Sequence, residues 1–152
     1  MKKRNPAGGE HVRIKNDAIR LMGKLAELEP RLPRTYKFTL GRLLMDWSAL
    51  LVFRIDRMLM LHDKGAALEE VAATVRTIEI TLLNLVSLNG FPAVSPVTES
   101  EVAQLCVNIE EQARNLWRVN RDRLKAEREK TRQPHDSSGV ALPPRQGAPP
   151  VR

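Results

Sequence analysis

Side chains able to do nucleophilic, acid–base or metal chemistry are few and scattered. The chain holds one cysteine, Cys106, and three histidines, His11, His62 and His135. A single cysteine leaves no internal disulfide and no cysteine-rich zinc site. Di-metal centres in helical bundles use inward Glu residues and Glu-x-x-His pairs, and no Glu-x-x-His occurs. His62, next to Asp63, fits a helix-terminal residue complementing the dipole better than a ligand. Cys106 sits at the edge of an apolar stripe with no histidine near it in sequence, which fits packing better than nucleophilic attack. No phosphate-cradling glycine loop is present, since Gly8-Gly9 belongs to the chain's irregular start. The expectation is a non-enzymatic protein with no metal, cofactor or small-molecule substrate.

The chemistry that remains is charge. Lys and Arg number 25 against 18 Asp and Glu, giving +7 and a pI near 10.1. Such an excess favours acidic partners without specifying a fold. Residues 1–37 carry ten basic and four acidic side chains, residues 38–96 five and six, and residues 97–130 seven and seven. The balanced last block is internally polarised: from Arg114 to Lys130 it holds seven bases and three acids. At 100° per residue, Arg114, Arg118, Arg121, Lys125 and Arg128 stay within about 40° of one line. Leu105, Ile109, Leu116 and Asn120 fall roughly opposite, so the bases form a ridge facing away from a core. Trp117, about 60° from Arg114, borders this ridge and suits stacking on a base or half-buried packing.

Two readings of the ridge stand side by side. Acids early and bases late complement the helix macrodipole, and Glu110–Arg114 has good i,i+4 spacing. The same bases could neutralise phosphates. Arg13, Arg20, Lys24 and Arg31 share a face that Asp17 and Glu27 interrupt, whereas Arg31, Arg34 and Lys37 are less compensated.

Prolines mark out the elements that must carry these residues. All ten lie outside 34–91 and 97–133, and an interior proline would cost a helix about 3 kcal/mol. Four segments show apolar residues at i, i+3, i+4, i+7 spacing. The first, about 14–29, uses Ala18, Leu21, Leu25 and Leu28 and is broken by Pro30 and Pro33. The second, about 37–63, uses Leu40, Leu43, Leu44, Trp47, Leu50, Leu51, Ile55, Met58 and Leu59, with Gly65 as a suitable left-handed terminator. The third, about 66–89, uses Leu68, Val71, Ala72, Val75, Ile78, Leu82, Leu85 and Val86 and closes at Gly90 and Pro92. The fourth opens on a capping box, Thr98-Glu99-Ser100-Glu101, and continues through Val102, Leu105, Ile109, Ala113, Leu116 and Leu124. Short connections make consecutive helices antiparallel. The fold class is therefore all-α, an up-down-up-down four-helix bundle over residues 10–130, between a flexible basic N-terminus (1–9) and a disordered Pro-rich tail (131–152).

The longest apolar run, Ala49–Phe53, is far shorter than the roughly 20 residues that span a bilayer. Met1-Lys2-Lys3-Arg4 resembles a signal-peptide start, yet no apolar stretch follows. The expectation is a cytoplasmic protein without membrane contact.

The first connection carries a more specific signal. Pro33-Arg34-Thr35-Tyr36-Lys37-Phe38-Thr39-Leu40-Gly41 closely resembles the Pro-Arg-x-x-(Arg/Lys)-Phe-x-Leu-Gly signature of a family of small bacterial four-helix proteins. That family comprises the accessory variability determinant (Avd) proteins of diversity-generating retroelements and proteins encoded in intervening sequences of large-subunit ribosomal RNA genes. The likeness spans about residues 14–122 and includes the late tryptophan, here Trp117. Physically, Pro33 suits a helix start, Phe38 and Leu40 can plug the bundle end, and Gly41 permits close backbone approach at a propensity cost of about 1 kcal/mol. Arg34 and Lys37 have no evident core duty. The resemblance implies a non-enzymatic, basic homopentamer that binds a reverse transcriptase and its template RNA and supports mutagenic cDNA synthesis. The family's other branch implies an oligomeric adaptor without functional RNA binding. The basic N-terminus and Pro-rich tail depart from short family members.

Overall fold

The computed structural model describes residues 6–88 and 96–138. Four long helices form the bundle: α1 (Pro6–Leu28), α2 (Arg42–Met60), α3 (Gly65–Ser87) and α4 (Pro96–Ser138). No strand occurs among the described residues. Each helix packs on its neighbours in chain order, and α4 closes the ring against α1. Two cross-links fix the antiparallel sense. Lys15 of α1 pairs with Asp56 of α2 at 2.8 Å, and Lys24, later in α1, pairs with Glu101 early in α4 at 2.9 Å.

The core follows the 3.6-residue period. Leu21 and Leu25 from α1, Leu51 and Ile55 from α2, Val71 and Ile78 from α3, and Ile109 from α4 are almost wholly removed from solvent. Each large aliphatic side chain so buried contributes about 1.5–3 kcal/mol. Leu43 is an exception to its expected stripe: it is 45% exposed, because the α2 surface seen by the core is centred on Leu44, Ser48, Leu51, Ile55 and Met58.

Helix ends differ from the sequence reading. α1 starts at Pro6, so residues 6–9 are helical rather than part of a loose terminus, and α4 runs through residues 131–138. Flexibility or disorder expected for residues 1–5 and 139–152, and closure of the third helix by Gly90 and Pro92, lie outside the described residues. α4 opens at Pro96, which puts Thr98 inside the helix, and Glu101 pairs with Lys24. Gly65 does not terminate the second helix in a left-handed conformation. That helix ends where Leu61 turns extended (φ −86°, ψ 144°), and Gly65 is instead the first residue of α3, its N–H donating to Asp63 Oδ1 at 3.1 Å.

The α2–α3 corner is tied down by α4. Asn120 Oδ1 accepts the Lys64 N–H at 2.9 Å, and Asn120 Nδ2 donates to Asp63 Oδ1 at 3.2 Å. Arg123 donates to the His62 carbonyl and to Asn120 Oδ1, and the His62 ring meets Glu127 at 3.0 Å. His62 is thus a corner residue in an exposed polar cluster.

The first connection is helical nearly throughout. A 3₁₀ turn (Glu29–Arg31) follows α1, then an α-turn (Arg34–Tyr36) and a π-helical turn (Lys37–Gly41) lead without a break into α2. Pro33 precedes this run, and its carbonyl accepts the N–H groups of Tyr36 and Lys37 at 2.9 Å.

Candidate nucleic-acid interface

The ridge on α4 forms as its spacing requires. Leu105 is half-buried while Ile109, Leu116 and Asn120 turn fully inward, which leaves Arg114, Arg118, Arg121, Lys125 and Arg128 exposed on the opposite face. Arg121 has one nearby carboxylate, Asp122, at 3.4 Å. The other four form no ion pair with any described residue. The expected Glu110–Arg114 pair is not among those formed. Glu110 faces Glu79 of α3 instead, and the Glu79 carboxyl is pushed up by burial, by the Glu110 charge and by their shared hydrogen bond, against the opposing effect of Arg76. Arg114 is therefore left to solvent.

Trp117 is 36% exposed, with the Arg121 guanidinium 5.3 Å from its ring centroid. Its indole walls one side of an open groove of about 360 Å³ between α3 and α4, with Ala72, Ala73 and Ala113 among the lining residues. Small alanines keep the two helices from filling this space. Arg76 reaches the same groove from α3 and stands with Arg114 there. Sequence inspection of α4 alone did not find Arg76, because its membership depends on how α3 packs.

The second cluster lies in the first connection. Arg31 and Arg34 are exposed, and Lys37 is half-buried with its ammonium 5.9 Å from the Phe38 ring centroid. Arg42, one turn further on, is exposed as well and was not singled out by pattern. None of the four pairs with a carboxylate among the described residues. Phe38 does not plug the bundle end: it is 65% exposed. Buried Leu32 and partly buried Tyr36 and Leu40 fill that end, and the π-turn rotates Phe38 away from them. Gly41 behaves as its type suggests, since a Cβ there would lie 2.8 Å from Leu32 Cδ1.

The two clusters are separate. The ridge lies beside and beyond the α2–α3 corner, whereas Arg31, Arg34 and Lys37 sit at the other end of α2, about 30 Å away at 1.5 Å per residue. Some of the remaining bases are structural or paired: Lys15 and Lys24 in ion pairs, Arg123 in the corner, and Arg54 donating to Thr74, whereas Arg13, Arg20 and Arg57 are exposed without an ion pair to a described residue.

Cys106 is fully buried and its thiol is pushed up to about 12 by desolvation and by the Glu79 and Glu110 charges. No cluster of three metal-ligating side chains occurs among the described residues, and none of their helices is long and apolar enough to cross a membrane. Fold and surface together define a four-helix bundle with one basic, tryptophan-bordered helix face. No protein-family model matches the chain, and no curated protein or solved structure matches it either.

Proposed function

We propose that this protein is a non-enzymatic accessory factor of the Avd type, binding RNA and a reverse transcriptase in support of mutagenic cDNA synthesis. The observation that carries the nucleic-acid part is the row Arg114, Arg118, Lys125 and Arg128, exposed and in no ion pair with a described residue, beside Trp117. Solvated bases that only complement a helix dipole are commonly met by i,i+4 acids; here Glu110 is turned elsewhere. The retroelement part rests on the Pro33–Gly41 signature. Arg31, Arg34 and Lys37 add phosphate contacts at the other end. The test is Arg118→Glu, Arg121→Glu and Lys125→Glu together. Each side chain is exposed, so the fold is expected to survive while RNA affinity falls at least tenfold. Unchanged affinity contradicts the assignment.

A second reading, an oligomeric adaptor without functional RNA binding, is favoured by exposed apolar side chains on α2 and α3. Phe53, Met60, Ile80 and Leu83 are all more than half exposed. Both readings include self-association, and the resemblance implies five copies. At 17.2 kDa per chain a closed ring of five has a mass of about 86 kDa, which light scattering measures directly; a monomer contradicts the pentamer.

A further inference from the structure

Phe38 is the odd residue of the first connection. A phenylalanine at 65% exposure loses the burial that ordinarily justifies it. Its backbone is nonetheless firmly set. The π-turn is anchored by buried Gly41 against Leu32, and the Thr39 hydroxyl donates back to the Thr35 carbonyl at 3.2 Å. π-turns inside helices are uncommon and cluster at functional positions. This one presents an aromatic ring to solvent.

The surroundings of the ring set the chemistry of its partner. The Lys37 ammonium lies over one face of the ring, 5.9 Å from its centroid, Arg34 and Arg42 are exposed about one turn to either side, and Arg31 is exposed on the preceding turn. None is neutralised by a described carboxylate. A ring with one face under Lys37, the other open, and cations around it that pair with no described carboxylate fits a partner that offers a π-face and anionic charge at short spacing. Unpaired nucleotides do so, the base stacking on the ring while flanking phosphates meet the cations. A base held in a duplex keeps its faces covered by its neighbours and cannot reach the ring.

We infer that Phe38, with Arg34, Lys37 and Arg42, forms a stacking site for single-stranded nucleic acid, distinct from the α4 ridge and at the opposite end of the bundle. This inference rests on the nucleic-acid reading above and adds to it a strand preference. The ridge neutralises phosphates in either form, whereas Phe38 rewards only unpaired bases.

The test compares wild type, Phe38→Ala and Phe38→Trp on a mixed-sequence single-stranded RNA and on an RNA duplex of equal length. Phe38→Ala is expected to lose roughly five- to 150-fold in affinity for the single strand, with duplex affinity and the salt slope unchanged. Phe38→Trp retains single-strand affinity. Equal losses on both probes, no loss on either, or a changed solution mass or failure to fold in Phe38→Ala overturns the site, the last two by showing a packing or assembly role. The Arg118→Glu, Arg121→Glu, Lys125→Glu protein is measured alongside. If it loses binding while Phe38→Ala does not, only the stacking site fails; if wild type binds neither RNA, both readings fail together.

Discussion

Asp63 shows how one side chain can hold a corner and register pH. Its carboxylate accepts the Gly65 N–H first and the Asn120 amide second, and both hold it below the ordinary value of 3.8. A carboxylate with a depressed folded-state pKa contributes stability that is complete above its unfolded pKa and lost as pH falls through the folded value. Thermal melts of Asp63→Asn should therefore show a lower Tm than wild type at neutral pH and a shallower loss on acidification below about pH 4. Parallel melting curves displaced by a constant amount down to pH 2 would contradict that role. Glu79 has the opposite character: burial and Glu110 raise it, so its ionisation opposes folding near neutrality. At this scale the sequence was only partly legible. Cys106 as a packing residue and Gly41 as a point of close approach could be read from type and position. The partner of Glu110 could not, since an i,i+4 base on its own helix and an acid on the neighbouring helix compete, and packing decides.

At the scale of elements, apolar periodicity located all four helices, because each must bury one face and the 3.6-residue period leaves little choice of which. Their ends were less legible. Pro6 and Pro96 both begin helices that the pattern started later, since the first turn of each lacks the apolar stripe on which the reading depended. The π-turn was invisible for another reason: its one-residue excess shifts phase without any marker residue, which is why Phe38 was assigned inward and proved exposed. The turn depends on Gly41. A β-branched side chain there would drive into buried Leu32 and the Tyr36 carbonyl, 2.8 and 3.4 Å from a Cβ. Gly41→Val is expected to cost about 2 kcal/mol by overpacking, visible in urea unfolding as a lower midpoint with an unchanged slope. No loss of stability would mean the corner has room that the packing does not suggest.

The whole molecule places its charge unevenly on a uniform scaffold. Net charge alone suggested an acidic partner. The assembled bundle presents two exposed basic clusters, one along the net-neutral α4 and one in the first connection, while Lys15 and Lys24 pair with acids across helices and Arg123 joins the α2–α3 corner. The ridge was legible because it lies within one helix, where sequence spacing is also spatial spacing. The groove beside Trp117, with Arg76 across it, was not, since two helices make it. The central claim is that this ridge meets phosphates, and the most direct measurement is the salt dependence of RNA affinity for wild type and for the Arg118→Glu, Arg121→Glu, Lys125→Glu protein. Each phosphate neutralised on a single strand steepens the plot of log affinity against log salt by about 0.7. If these three side chains engage phosphates, the variant's slope should be shallower by about two, with affinity reduced at every salt concentration. An identical slope in the two proteins would contradict the claim.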